Sequence, residues 1–395
     1  MTNVKSTVRA GIVGSGFAAR FHLEALRKVY GVTVEIAGVY SPTAAHCEAF
    51  AGRHGLTAYT DLSALIDQSD IVHVCTPPST HERIGVEVLG RDKYVVIEKP
   101  FTGYFGDGDK RFSGDLFDRK TGLDRAKASI GNLLDAEAKS AGLICYAENW
   151  VYAPGIQKEK EILEKSGAQI IWMHGEEAHS GSHSPFYGIW AHSGGGSIMG
   201  KAVHPLGAVL YLKQVEGMAA QGRPIRPATV SARVHAVTRS KQFKDLGYIK
   251  TGYTDIEDFG AMHIVFEDGM LADVFASELV LGGVHNWIEI TANNHRTIVN
   301  INPNDSMKSY NPKGSQFDDI YVVEKIETKE GWANISPDED WYTGYQNEIQ
   351  DFCRCAATGA MPQCNSTLAA DTILTVYAAY CSAAENGREM KVPSR

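Results

Sequence analysis

Two residues far apart in this chain stand where an ionisable side chain could move a proton. Lys99 follows the short apolar run Tyr94 to Ile97 and precedes Pro100. Open α/β sheets bind ligands at the C-terminal edges of their strands. A lysine there could donate to a substrate hydroxyl, polarise it, or relay its proton. Pro100 disfavours the helical region for the residue before it, which keeps Glu98-Lys99 extended. The second residue is His204, which ends Gly194-Gly195-Gly196-Ser197-Ile198-Met199-Gly200-Lys201-Ala202-Val203-His204. If that stretch is helical, Lys201 and His204 share one face. A lysine and a histidine together could handle the proton of a hydroxyl, because histidine exchanges protons near neutral pH.

The same region is dense in polar groups. His174, Glu176, Glu177, His179, His183, Tyr187, Trp190 and His192 fall within it. His179 and His183 are candidates for direct substrate contact. Their H-S-G-S-H spacing is not a zinc pattern, so no metal site is expected.

The elements that must position Lys99 begin at the N-terminus. Val8 to Val13 reads as an apolar strand, followed by Gly14-Ser15-Gly16-Phe17-Ala18-Ala19 and a helical period. This is G-x-G-x-x-A between strand and helix. Gly14 permits the tight turn, Gly16 leaves room for a pyrophosphate, and Ala19 lets helix and strand pack closely. The phosphates would lie over the free N–H groups of the helix start.

Strands then alternate with helices: Thr33 to Tyr40, Ala44 to His54, a strand ending near Tyr59, Leu62 to Ile66, Ile71 to Cys75, Thr80 to Leu89 and Tyr94 to Ile97. That alternation predicts a mostly parallel sheet covered on both faces. The second strand ends in Tyr40-Ser41, without the acid that takes ribose hydroxyls or the cation that takes a 2′-phosphate. The cofactor is therefore NAD or NADP, and the lack of a local Arg or Lys favours NAD.

Residues 101–123 carry five glycines and many charges, and read as a loop insertion beside the strand edge. A helix over Ala126 to Ser140 and a strand over Gly142 to Glu148 complete the first domain, residues 1–150. A second domain, 151–395, opens with a helix from Gly155 to Ser166 and a strand from Ala168 to Glu177. Ala228 to Val237, Asp258 to Phe266, Met270 to Leu279, Trp287 to Ala292 and Asp318 to Val323 read as further strands. They imply an open, largely antiparallel sheet whose second face a partner subunit would cover. Helices over Asp340 to Thr358 and Ser366 to Asn386 would pack back on the first domain.

Composition narrows the classes. The chain of 395 residues is 44% hydrophobic and 22% charged, with a net charge of -9. Without a dense basic block, nucleic acid is not an expected partner. No apolar run reaches the roughly 18 residues of a membrane span. Seven cysteines, mostly in apolar runs, suggest buried free thiols in a reducing compartment. The few polar residues before the first strand leave no room for a signal peptide, and a cytoplasmic location is expected.

The chain resembles the Gfo/Idh/MocA oxidoreductases, the sugar, inositol and polyol dehydrogenases. Gly14-x-Gly16-x-x-Ala19, Thr76-Pro77-Pro78-Ser79-Thr80-His81, Glu98-Lys99-Pro100, and the triple glycine eight residues before His204 carry the resemblance. It implies a Rossmann-like domain plus an α/β domain whose open sheet forms homodimers or homotetramers. Gly14, Gly16, Phe17, Ala18, Ala19, Tyr40, Ser41, Thr76, Pro77, Pro78, His81, Glu98 and Lys99 would line the cofactor. Lys99 and His204 would bind substrate and transfer its proton, with Lys201 assisting. Trp150, Tyr187 and Trp190 could stack on a sugar ring beside His179 and His183. Such members oxidise a secondary hydroxyl of a sugar, glycoside or cyclitol. A variant class keeps NAD bound and uses a transient ketone for elimination or glycoside cleavage. One departure stands out: the family commonly has Asp four residues before the histidine, where this chain has Gly200. A carboxylate is missing there, which leaves open a cofactor-binding sensor that has lost catalysis.

Overall fold

A computed structural model describes residues 5–182, 186–301 and 307–395. The first half alternates β1 (Thr7–Val13), α1 (Phe17–Leu26), β2 (Thr33–Tyr40), α2 (Ala44–His54), β3 (Ala58–Tyr59), α3 (Leu62–Asp67), β4 (Ile71–Val74), α4 (His81–Leu89), β5 (Tyr94–Glu98), α5 (Arg119–Ala138) and β6 (Ile144–Ala147). The six strands are all parallel, in the order β3-β2-β1-β4-β5-β6. This is a Rossmann sheet, whose strand order reverses between β1 and β4 and so opens the binding crevice there. β4 is buried at every residue because helices cover both faces.

The second half contains α6 (Pro154–Ser166), β7 (Ile170–Ala178), α7 (Trp190–Ser193), α8 (Val203–Gln221), β8 (Pro227–His235), β9 (Phe259–Phe266), β10 (Leu271–Ser277), β11 (His285–Ala292), β12 (Arg296–Asn300), β13 (Lys308–Asn311), β14 (Gly331–Asn334), α9 (Glu339–Tyr342), α10 (Tyr345–Thr358), α11 (Ser366–Ala384) and β15 (Met390–Lys391). Seven strands form a mixed sheet, β12-β11-β7-β10-β9-β8-β15, in which only β7 and β10 run parallel. α8 and α11 pack on one face. The other face carries Trp172, His174, Glu176, Phe275 and Trp287, with the His174 ring 4.7 Å from Trp287 and 5.1 Å from Phe275. The half-exposed alternation along β11 follows from that one-sided cover. α10 packs on α1 and α11 on α5, so the closing helices tie the two sheets together.

Three expectations are corrected. The loop after β5 ends at residue 118, because Asp118 caps the N–H groups of Lys120 and Thr121 and starts α5 early. Asp318 to Val323 is not a strand. Lys329 Nζ donates to the carbonyls of Phe317, Asp318 and Ile320 there, in place of a ladder. The helix expected over Asp340 to Thr358 is broken at Gly344, whose φ is +96°. A Cβ at Gly344 would lie 2.1 Å from the Asn149 carbonyl oxygen.

Candidate active site

The dinucleotide turn is shaped by backbone contact. Gly14 has φ +117°, and a Cβ there would lie 2.2 Å from the Cys75 carbonyl oxygen. Its N–H donates to Tyr40 O at 2.8 Å, drawing together the ends of β1 and β2. Gly16 is the N-cap of α1, no side chain caps that helix, and a Cβ at Gly16 would meet nothing within 4 Å. An uncapped helix start over open space suits a pyrophosphate. Ala19 is fully buried against the sheet, while Phe17 is exposed.

Two residues expected at the cofactor brace the loops around it. His81 is fully buried, and its ring nitrogens lie 3.0 Å from the carbonyls of Thr76 and Pro100. It therefore joins the loops after β4 and β5. Glu98 turns inward, with Oε1 2.9 Å from His22 Nε2 and Oε2 accepting the Lys99 N–H. Thr76 Oγ1 lies 2.7 Å from Thr80 Oγ1, which sets the turn around Pro77 and Pro78.

Lys99, half-buried at the end of β5, donates to Gly200 O at 3.0 Å. Strand edge and glycine segment are thus in direct contact. The glycine segment hangs on Glu257, which accepts the N–H groups of Gly196 and Ile198, both at 3.0 Å, and the Tyr380 hydroxyl at 2.7 Å. A Cβ at Gly196 would lie 2.0 Å from Glu257 O, and one at Gly195 2.2 Å from Tyr380 Oη. Burial pushes Glu257 up to about 7, with Tyr380 opposing. After the glycines the chain makes a π turn, Ile198–Ala202, before α8. Such turns are frequent at functional sites.

The π turn directs Lys201 and His204 to different partners. Lys201 Nζ is 2.5 Å from Glu278 Oε1, which also accepts the Tyr187 hydroxyl at 2.6 Å. Tyr253 bonds the other oxygen at 3.2 Å. Lys201 is therefore paired within a buried network, apart from His204. His204 Nδ1 lies 2.7 Å from Glu148 Oε1, at the end of β6, and its Nε2 is 3.9 Å from Glu177 Oε2 on β7. Burial raises Glu148, with Lys99 opposing, and lowers His204 to about 4, with Glu177 opposing. Burial thus disfavours the charged form of both partners.

The tryptophans are not presented to a ligand. Trp150 is buried and stacks along His204, with centroids 6.1 Å apart at 18°. Trp190 is also buried, donates to Tyr104 O, and packs against Phe117 and Tyr380 under Arg119. His179 lies 3.6 Å from Glu177, whereas His183 lies outside the described residues. Among the described residues, no group of His, Cys, Asp or Glu could hold a metal ion. Glu148 and Glu278 escaped the motif reading because they sit at strand ends, with no spacing that marks them.

Residues 8–111 match the model of the Gfo/Idh/MocA oxidoreductase family, NAD-binding Rossmann fold. It is 33% identical over 92 residues to glucose-6-phosphate 3-dehydrogenase of Bacillus subtilis, covering 23% of this chain and 26% of that protein. It is 28% identical over 142 residues to an inositol 2-dehydrogenase of Arthrobacter, covering 35% and 41%. The matches thus span less than half of these curated relatives. Solved structures share the fold over the whole length. GenD2 from gentamicin A biosynthesis, in complex with NAD, has TM-score 0.78 at 20% identity, covering 100% of this chain and 98% of that one. Myo-inositol 2-dehydrogenase from Lactobacillus plantarum has TM-score 0.72 at 16% identity, covering 98% and 100%.

Proposed function

We propose that the protein is a dehydrogenase that interconverts a secondary hydroxyl of a sugar, glycoside or cyclitol with the ketone, using NAD. The observation that carries this is the Glu148–His204 pair, 2.7 Å apart, beside Lys99. The names of the sugar and inositol dehydrogenases above support the substrate class, and the uncharged end of β2 supports NAD. Gly14, Gly16 and the α1 N-terminus would hold the dinucleotide. When bound, its nicotinamide accepts or donates hydride at the carbinol carbon.

The chain's own residues manage the proton. With Glu148 ionised, His204 Nδ1–H donates to it and leaves the Nε2 lone pair free. A hydroxyl proton then moves to Nε2 while the Nδ1 proton passes to Glu148. Burial raises Glu148 and suits it to hold that proton. The reverse relay protonates a ketone oxygen during reduction. Lys99, fixed by Gly200 O, keeps two N–H donors for the substrate oxygen. Glu148 supplies the carboxylate whose absence at Gly200 favours a sensor. The aromatic outer face of the second sheet would pair two copies of the chain.

The test is to mix purified protein with NAD or NADP and a panel of cyclitols and pyranoses, following reduced cofactor. Turnover with NAD is expected; its absence across the panel, with dinucleotide binding intact, overturns the reading.

A further inference from the structure

Glu177 Oε2 is buried and has no hydrogen-bond partner among the described residues. Glu177 itself is 5% exposed on β7, where side chains alternate between faces. Its neighbour Glu176 points to the outer face and bonds His285 and Trp287. Glu177 points inward, towards His204. Oε2 stands 3.9 Å from His204 Nε2, too far for a direct hydrogen bond. An orphaned carboxylate oxygen is costly to bury, so a native site that keeps one implies a donor absent from the protein. Burial raises Glu177, and His204, Lys99 and Lys201 lie close enough to oppose that push. Both ammonium groups are nonetheless directed elsewhere, to Gly200 O and to Glu278.

The donor cannot be the hydroxyl that His204 deprotonates, because a hydroxyl carries one proton and His204 Nε2 takes it. Two acceptors side by side therefore require two donors side by side. We propose that Glu177 is a specificity residue, and that its Oε2 accepts a hydrogen bond from a donor on the carbon next to the one oxidised, selecting vicinal diols. This rests on the dehydrogenase reading above. A protonated amine on the adjacent carbon would offer the same hydrogen-bond donor, whereas a methylene would leave Glu177 Oε2 orphaned.

The test compares kcat/KM for myo-inositol and D-glucose with their monodeoxy and monoamino analogues, in wild type and in Glu177→Gln and Glu177→Ala. For the parent that turns over, deleting the adjacent hydroxyl should cost wild type about 10–100-fold, the range of a hydrogen bond to a charged group. In Glu177→Ala that penalty should shrink to about twofold, and in Glu177→Gln it should be intermediate. An amine tolerated as well as the hydroxyl identifies the charge, and a tolerated hydroxyl alone the diol; either supports the adjacent donor. Equal turnover of parent and deoxy analogues by wild type overturns the assignment and leaves the dehydrogenase reading standing. That comparison needs no variant to fold. If neither parent nor analogue is oxidised, the dehydrogenase reading falls and this assignment with it.

Discussion

Glu148, just past β6 of the first sheet, and His204, in the first turn of α8, meet at 2.7 Å, so the proposed proton path crosses the junction between the two halves of the chain. Both residues are shielded from solvent: Glu148 is fully buried and His204 is 5% exposed. A dry hydrogen bond of this kind fixes the imidazole and couples its titration to that of the carboxyl.

Replacing Glu148 by Gln keeps the shape but removes the group that takes the relayed proton. We expect kcat to fall by about 10²–10⁴-fold, with NAD affinity unchanged by titration calorimetry. In wild type, oxidation should rise with pH as the pair loses its second proton, and ketone reduction should fall. In Glu148→Gln the residual oxidation should be flat above the His204 value of about 4. An unaltered pH profile in the variant would show that Glu148 takes no part in the relay.

Lys99→Met should lower kcat/KM by about 10²-fold or more, through loss of the donor at the developing oxyanion. It also leaves Gly200 O without its partner. Because Lys99 is only half-buried, water can replace that bond, and the melting temperature should fall by only a few degrees. A large stability loss with intact turnover would mark Lys99 as a structural clamp.

Sequence pattern reached the first sheet almost residue by residue, because each strand is a compact apolar run and each helix has its own period. It was weakest from residue 296 onward, where β12, β13 and β14 are short and polar and a single lysine replaces a strand ladder. Lys99 and His204 were legible through their neighbours in the chain. Their partners were not, since the contact of Glu148 with His204 is set by how the two halves meet and that of Lys201 with Glu278 by how the π turn lies against β10. The tryptophans misled for a related reason: large aromatics near a site are as useful for walling it as for touching a ligand.

Glu257 should leave a signature in stability against pH. Its folded value of about 7 lies above the ordinary 4.5, so the folded state favours the protonated acid. That contribution is fully present below about pH 4.5 and lost as pH rises through 7. His204 has the opposite sign: its folded value of about 4 lies below 6.5, so its contribution is present above pH 6.5 and lost as pH falls towards 4. Glu257→Gln cannot ionise; its one amide oxygen still accepts from Ile198 and Tyr380, while its NH2 faces the Gly196 N–H, a loss that does not vary with pH. The variant should gain stability relative to wild type between pH 5 and 8, by up to about 3 kcal/mol. Urea denaturation at several pH values checks this, and a constant difference across that range would refute it.

Gly200 is held by packing as well as by chemistry, which bears on whether the missing carboxylate could be restored. A Cβ there would lie 2.7 Å from Tyr187 Oη and 2.8 Å from Tyr187 Cε2. Any side chain must therefore push Tyr187 off Glu278 and disturb the Lys201 pair. Gly200→Ala should cost about 1–3 kcal/mol, as overpacking does, and Gly200→Asp more, since it adds a charge beside Glu278. In a Tyr187→Ala background the cost of Gly200→Ala should fall below about 0.5 kcal/mol, because the clash and its coupling are gone. Thermal unfolding of the four proteins in this cycle measures that coupling. Additive effects would mean that Gly200 is retained for a reason other than room for Tyr187.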